Sequence, residues 1–387
     1  MKVLIVQDSL VPRGGSEIIA LQMIDALHEA GCTPVAICRE RGPTVVRRVP
    51  AYEVPELFRR PGRAALAAFQ TVVERERPDL VHIHKVTRPD VIRFAAERLP
   101  TTVTILDHNA YCPGGSKVFW RTGMVCRRPL GVPCLLHAYT HRCAARHPVR
   151  LWGQFAFSVD AITALRTVRR VLTLSGYVRE QLLRSGLAPD RVVALAPWVE
   201  LPPGAAPDEG ETVLFVGRLT REKGLPSLLR ALALLQVPFK TVIAGDGPLR
   251  SRCQNLAAEL GIDHLVEFRG WLGRPALRRE YRRCVLLVLP SLWPEPFGLV
   301  GPEAMAYGKP VVAFDVGGVR EWLVDRVNGL LVPRGDVPSL AAAIAELQMD
   351  PQLRARLGEG ARLCVKERFD RKVILPRLMA IYRELLN

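Results

Sequence analysis

The chain has 387 residues and a formal net charge of +16, from 54 Lys and Arg against 38 Asp and Glu. At roughly 150 residues per domain the length excludes one ordinary domain and points to two or three. A composition of 49% hydrophobic and 24% charged residues excludes bulk disorder, and no stretch reaches the ~18 uninterrupted apolar residues of a spanning helix.

The chain starts with one basic residue and the apolar run Val3 to Val6. That run is short for a secretory leader, so the expected location is cytoplasmic. Nine cysteines are an odd count in a long chain, and most are expected as reduced thiols. After Gly14-Gly15, Ile18, Leu21, Ile24 and Leu27 recur at helical spacing and predict a helix from Glu17 to Ala30. Val35 to Ile37, Leu80 to Ile83, Val103 to Leu106 and Arg170 to Leu174 read as strands. Strands alternating with helical segments mean βαβ units, and apolar strands without alternation fit a parallel sheet covered on both faces.

The pattern then restarts. Past the loop Pro202 to Pro207, strands are predicted at Thr212 to Val216, Thr241 to Ala244, Val266 to Phe268, Val285 to Leu289 and Val311 to Phe314, with a helix from Leu225 to Leu235. Ile374, Leu378, Ile381 and Leu385 give Arg371 to Leu386 one apolar face. The expected organisation is an α/β domain over 1–196, a Pro/Gly-rich linker over 197–210, a second α/β domain over 211–366 and a terminal helical segment over 367–387.

In open parallel sheets, ligands bind beyond the carboxyl ends of the strands. Charged residues sit in those places. Val213 to Val216 ends in Gly217-Arg218, and Lys223-Gly224 opens the next helix. Glycine lets a ligand approach the backbone. The Arg fork and the Lys point charge suit a diphosphate, and a helix N-terminus adds to them. A surface Arg and Lys in a loop explain the isolated stretch about as well. Straight after Val285 to Leu289 comes Pro290-Ser-Leu-Trp-Pro-Glu295-Pro-Phe-Gly298-Leu-Val-Gly-Pro-Glu303. A carboxylate accepts paired hydrogen bonds from a diol, as a ribose offers. Backbone N–H groups near Gly298 and Leu299 can hold sugar hydroxyls or phosphate oxygens. An acidic residue in a first helical turn accounts for Glu303 on its own but not for the Pro-Glu-Pro-Phe-Gly loop. Gly14-Gly15 with Ser16 is a third phosphate-approach candidate, or a plain helix start.

Together these stretches resemble the retaining glycosyltransferases of the family-4 type, with a GT-B fold: two Rossmann-like parallel-sheet domains facing a cleft. FVGRLTREKG, IAGDGPL, LPSLWPEPFGLVGPEAMAYGKPVVAFDVGG and NGLLV follow in order from Val213 to Pro333. The first half matches more loosely, through GGSE, Pro78 to His84, and Asp107 with Cys112-Pro113. The resemblance implies a C-terminal domain that binds a nucleotide-diphosphate sugar and an N-terminal domain that binds a carbohydrate or lipid-linked acceptor. It implies that Arg218 and Lys223 hold the diphosphate and that Glu303 binds the ribose. Glu295, Phe297, Gly298 and Leu299 hold the transferred sugar and the phosphate. Gly217 and Gly245 line the donor site, and Gly15 closes over the diphosphate. The implied reaction retains the anomeric configuration and requires no metal or other cofactor. The last helix is implied to cross back onto the N-terminal domain.

The chain departs from that pattern at Asp107-His108, where the histidine follows the aspartate, and both are carried as catalytic candidates. It reads Pro197-Trp198-Val199-Glu200 where relatives have Asn-Gly-Val-Asp, and Lys85 stands where Asn is common. The rival readings are another enzyme on this fold, such as a sugar-nucleotide epimerase, and a non-catalytic nucleotide-sugar-binding protein.

Three features stay open. His82 and His84 share a face of their strand. They read as structural histidines, or as an approach to the acceptor side, with His84 and Lys85 as its residues. Cys112, Cys126, Cys134 and Cys143 sit with His137, His141 and His147. They read as a structural zinc site or as packed thiols. Between His108 and Val159 there is no acidic residue, while Lys117, Arg121, Arg127, Arg128, Arg142, Arg146 and Arg150 all fall there among Phe119, Trp120, Trp152, Phe155 and Phe157. That suits peripheral contact with an anionic membrane, or a core beside a solvated basic face. No motif supports nucleic-acid binding.

Overall fold

The structure is a computed structural model of the chain. It describes residues 1–42, 49–58, 62–85, 88–202, 210, 212–237 and 240–387. Half of the expected linker, 203–209, lies outside the described residues.

The chain divides into two compact units, Met1–Pro197 with Leu375–Asn387, and Trp198–Ile374. The first holds β1 (Lys2–Val6), β2 (Thr33–Cys38), β3 (Ala51–Glu53), β4 (Leu80–His84), β5 (Thr101–Ile105), β6 (Arg170–Thr173) and β7 (Val192–Ala194). They form one sheet in the order β3-β2-β1-β4-β5-β6-β7. The second holds β8 (Thr212–Val216), β9 (Lys240–Ala244), β10 (Val266–Gly270), β11 (Cys284–Leu289), β12 (Val311–Phe314) and β13 (Gly329–Val332). Their order is β10-β9-β8-β11-β12-β13. The pairs are parallel throughout, with Val3 beside Pro34 and Leu80, and Leu287 beside Leu214 and Val311.

Val3, Leu4 and Ile5 are consecutive and fully buried, as are Leu286 and Leu287. Neighbours on a strand point to opposite faces, so both faces of each sheet are covered. Each such side chain contributes ~1.5–3 kcal/mol by leaving water. The strand order reverses outward from β1 and β4, and from β8 and β11, and those switch points leave a crevice at the carboxyl ends.

The helix Arg371–Leu386 buries Ile374, Leu378, Ile381 and Leu385. Tyr382 is fully buried, and its hydroxyl lies 2.6 Å from Nδ1 of His82 on β4. Strands β3, β7 and β13 were not expected. Each has only three or four residues, and all three are sheet edges. The acid-free stretch carries two helices that the periodicity left unassigned, Pro133–His141 and Pro148–Leu165. All nine cysteines are unpaired thiols.

Candidate active site

The charged residues of the second unit gather where β8, β11, β12 and β13 end. Lys223 lies in a short 3-10 turn, Arg221–Lys223, closed by Gly224 in the left-handed conformation. Its aliphatic stem runs beside Gly217, where a Cβ would stand 3.9 Å from Cγ of Lys223. Its ammonium donates to Oε1 of Glu295 at 2.7 Å and lies 5.2 Å from the centre of the Trp293 ring. Ser291 donates to the same carboxylate oxygen. Glu295 is only 3% exposed. Burial works to raise its pKa, but the Lys223 charge and the hydrogen bonds from Lys223, Ser291 and Trp293 outweigh burial and hold it below the ordinary glutamate value. Glu295 is therefore an anion at neutral pH.

Three neighbouring loops fix this pair. The N–H of Leu292 donates to the carbonyl of Glu222 at 2.7 Å, which ties the loop after β11 to that after β8. Gly318 donates to the carbonyl of Glu295 at 2.7 Å, which ties in the loop after β12. Arg334, after β13, donates from Nε to the carbonyl of Leu292 at 2.7 Å. The loop after β9 joins through Gly217 N–H to Ala244 and Leu219 N–H to Asp246. Gly245 has φ +155°, and a Cβ there would sit 1.9 Å from the carbonyl oxygen of Gly217. Only glycine lets the two loops meet.

Around this anchor stand groups with spare capacity. Arg218 is exposed and its guanidinium has no side-chain partner among the described residues. Gly298, at φ +82°, turns the chain into the helix Val300–Ala306. Among the described residues the N–H groups of Gly298 and Leu299 meet no protein acceptor. Phe297 is buried, and its carbonyl accepts from Trp322 Nε1 at 2.6 Å. Glu303 accepts from the hydroxyl of Tyr281 at 2.9 Å. Burial raises its pKa, against the pull of that hydrogen bond and of Arg274 and Arg278. Those two arginines also face Glu200, at 3.9 and 2.8 Å.

The first unit is arranged differently. Asp107 follows β5 and accepts from the backbone and side-chain nitrogens of Asn109 at 3.0 and 2.9 Å. It pairs with Lys85 at 3.2 Å. Both keep solvent contact, and Lys85 takes a positive φ of 69° that turns the chain at the end of β4. His108 is fully buried and bonds to the Tyr111 hydroxyl, with the Tyr177 ring 6.2 Å away. Of the two, only Asp107 is open to a ligand in this conformation.

His84 takes the structural alternative in this conformation. It is 2% exposed, it lies 4.4 Å from His82 ring to ring, and its Nε2 is 3.3 Å from Sδ of Met23. The covering layer closes over it, and burial pushes its pKa down to about 4. His82 is held between Tyr382 and Thr104, each at 2.6 Å. It too is kept neutral by burial, and by His84. Gly15 opens the helix Gly15–Glu29 with no atom within 4 Å of where a Cβ would be.

Cys112, Cys126, Cys134 and Cys143 come together around one cavity of about 20 Å³, with Lys117, Phe119 and His137 also in its wall. Burial raises the thiol pKa of Cys134, and that of Cys143 to about 12, with the neighbouring thiols adding to it. Among the described residues no group of three or more His, Cys, Asp or Glu stands so that it could hold a metal ion.

Two parallel sheets of this order, with an anion-ready cluster at the strand ends of the second, define the GT-B class of glycosyltransferases. The model described as "Glycosyl transferases group 1" matches residues 200–363, and that described as "Glycosyltransferase Family 4" matches residues 13–201. An alpha-D-kanosaminyltransferase from Streptomyces kanamyceticus is 30% identical over 299 residues, 72% of this chain and 77% of the relative. The chain belongs to the family-4 type glycosyltransferases. A sucrose-phosphate synthase structure from Thermosynechococcus elongatus superposes with a TM-score of 0.77 at 23% identity, over 99% of this chain and 98% of its own. Anabaena HepE in complex with UDP-glucose superposes with a TM-score of 0.74 at 19% identity, over 99% and 100%. At such identities these two carry the fold alone.

Proposed function

We propose that the chain transfers a sugar from a nucleotide-diphosphate sugar to a carbohydrate or lipid-linked acceptor in glycan, exopolysaccharide or lipopolysaccharide biosynthesis. It does so with retention of anomeric configuration and without a metal. The observation that carries this reading is the Lys223–Glu295 pair fixed at the strand ends, in the same loop region as the exposed Arg218, whose guanidinium has no side-chain partner among the described residues. An ammonium and a guanidinium there neutralise a leaving diphosphate without a cation. In the proposed step the acceptor hydroxyl oxygen bonds to the anomeric carbon on the face that the diphosphate leaves. The bond from that carbon to the phosphate oxygen breaks, and the departing phosphate oxygen takes the hydroxyl proton. Glu295 positions Lys223 and the transferred sugar, the free N–H groups of Gly298 and Leu299 hold sugar or phosphate oxygens, and Glu303 accepts from the ribose hydroxyls. Gly217 and Gly245 leave room for the donor, and Gly15 closes over the diphosphate. On the acceptor side, Asp107 with Lys85 is the accessible polar pair. The proposed location is cytoplasmic.

The test is calorimetric titration with UDP, GDP, ADP, dTDP and CDP against the parent and Glu303→Ala. One diphosphate should bind well above the others, and the variant should lose ~1–3 kcal/mol of it. Unchanged affinity in Glu303→Ala removes the ribose role. No binding of any diphosphate removes the donor site.

A further inference from the structure

The helix Pro133–His141 turns its inner face to the protein through His137 and Ala138. Its outer face carries Val132, Leu136 and Tyr139, exposed by 72, 64 and 48%. Those positions are four and three apart, on one stripe of a helix. The helix Pro148–Leu165 packs beside it. It exposes Val149, Trp152 and Val159 by 75, 62 and 42%, again on one side. The Trp152 ring lies 6.1 Å from that of Phe155. Isolated exposed apolar residues are ordinary, but two adjacent stripes are not. Seven of the fifteen large apolar side chains left exposed among the described residues fall between Met124 and Val159.

The charge around these stripes is mainly basic, and Asp160, the one acidic residue of the two helices, is paired with Arg93 at 2.7 Å. Arg142, Arg146 and Arg150 are exposed and have no acidic partner among the described residues. No Asp or Glu occurs from Asn109 to Val159. A second copy of the chain would set like charge against like. A nucleic acid would take the arginines and leave Val132, Leu136 and Val149 in water. A bilayer with anionic headgroups takes both, with Trp and Tyr at the headgroup level. No described helix is long and apolar enough to cross a membrane, so the pair would lie in the interface.

We propose that the outer faces of Pro133–His141 and Pro148–Leu165 form a docking surface for an anionic lipid bilayer. The proposal does not depend on the transfer reaction.

The test is co-sedimentation of the full chain with vesicles of phosphatidylcholine alone and of phosphatidylcholine with phosphatidylglycerol. The chain should sediment with the anionic vesicles, and salt should weaken the binding. Trp152→Ser should lower partitioning about tenfold or more. Arg146→Glu and Arg150→Glu should each lower it at least about fivefold. Trp271→Ser removes an exposed tryptophan from the other unit and should change nothing. All four variants should melt as the parent does. Equal binding to both vesicle types, no binding at low salt, or an equal loss in Trp271→Ser would overturn the proposal. So would a dimer without vesicles that Trp152→Ser dissolves. Nucleotide binding by these variants stays at the parent level in every case, so the donor-site reading stands or falls separately.

Discussion

The two units share a parallel-sheet plan and each sets an ion pair past its strand ends, Lys85–Asp107 and Lys223–Glu295, but the first also buries two histidines within a strand. In the second, Lys223, Glu295 and Arg218 sit in loops beyond the strand ends, charged, with Lys223 and Arg218 reaching solvent. In the first, His82 and His84 lie within β4 and are held neutral by burial. Polar side chains are thus left open to solvent or packed away according to whether they stand past the sheet or inside it. Charge beyond the strand ends meets ligands, while polarity within the strands must be satisfied by the protein itself.

The sharpest way to break this comparison is Lys223→Ala. If the second unit holds the leaving diphosphate, turnover falls ~10²–10³-fold, while binding of the bare nucleoside barely changes. Steady-state transfer assays and calorimetry with nucleoside and nucleoside diphosphate check this. Equal losses in turnover and nucleoside affinity would place Lys223 in general structure instead.

Acid separates the two units by window. A native histidine pKa below the ordinary 6.5 means that the unfolded chain takes up protons first as pH falls. The stability that neutral His84 contributes is complete above 6.5 and drains away between 6.5 and about 4, by up to ~3 kcal/mol. The Glu295 contribution has its pKa lowered from 4.5, so it is intact above that value and lost only below it. Scanning calorimetry from neutral pH to pH 4 should show the first unit weakening earlier. Simultaneous loss would sink the assignment of buried neutral histidines.

Much of the second unit was legible in the sequence. Strands β8 and β11 are apolar runs cut off by Gly217 and Pro290, and Lys223 and Glu295 stand a few residues past them. The first unit was harder to read because its contacts are distant. Period two places His82 and His84 on one face but does not say what covers it. The cover includes Tyr382, 300 positions away from His82. The Asp107-His108 pair was likewise left open, since the order of two residues after a strand does not reveal which turns inward. Tyr111 and Tyr177 receive the histidine.

Glu295 and Glu303 refine the comparison within one site, because their pKa values move in opposite directions. Glu295→Gln removes the countercharge of Lys223 and should cost on the order of 2–3 kcal/mol, at the low end for such pairs because Lys223 keeps solvent contact. Glu303 has its pKa raised, so its ionised form is the costly one above the ordinary 4.5. Glu303→Gln keeps an acceptor for Tyr281 and should melt at or above the parent temperature at pH 7. A parallel fall in both variants would mean that the two carboxylates share one environment.

The smallest expected effect tests the first unit. Tyr382→Phe removes the hydroxyl beside Nδ1 of His82 and leaves that buried nitrogen without its partner. An orphaned buried polar group costs about 1–2 kcal/mol. The terminal helix keeps its apolar face, since Ile374, Leu378, Ile381 and Leu385 are untouched. Denaturant melts should therefore show a lower midpoint with an unchanged slope. If the buried histidines serve packing alone, turnover at saturating donor should equal that of the parent. A loss of turnover larger than the loss of stability would move His82 and His84 from packing into the reaction.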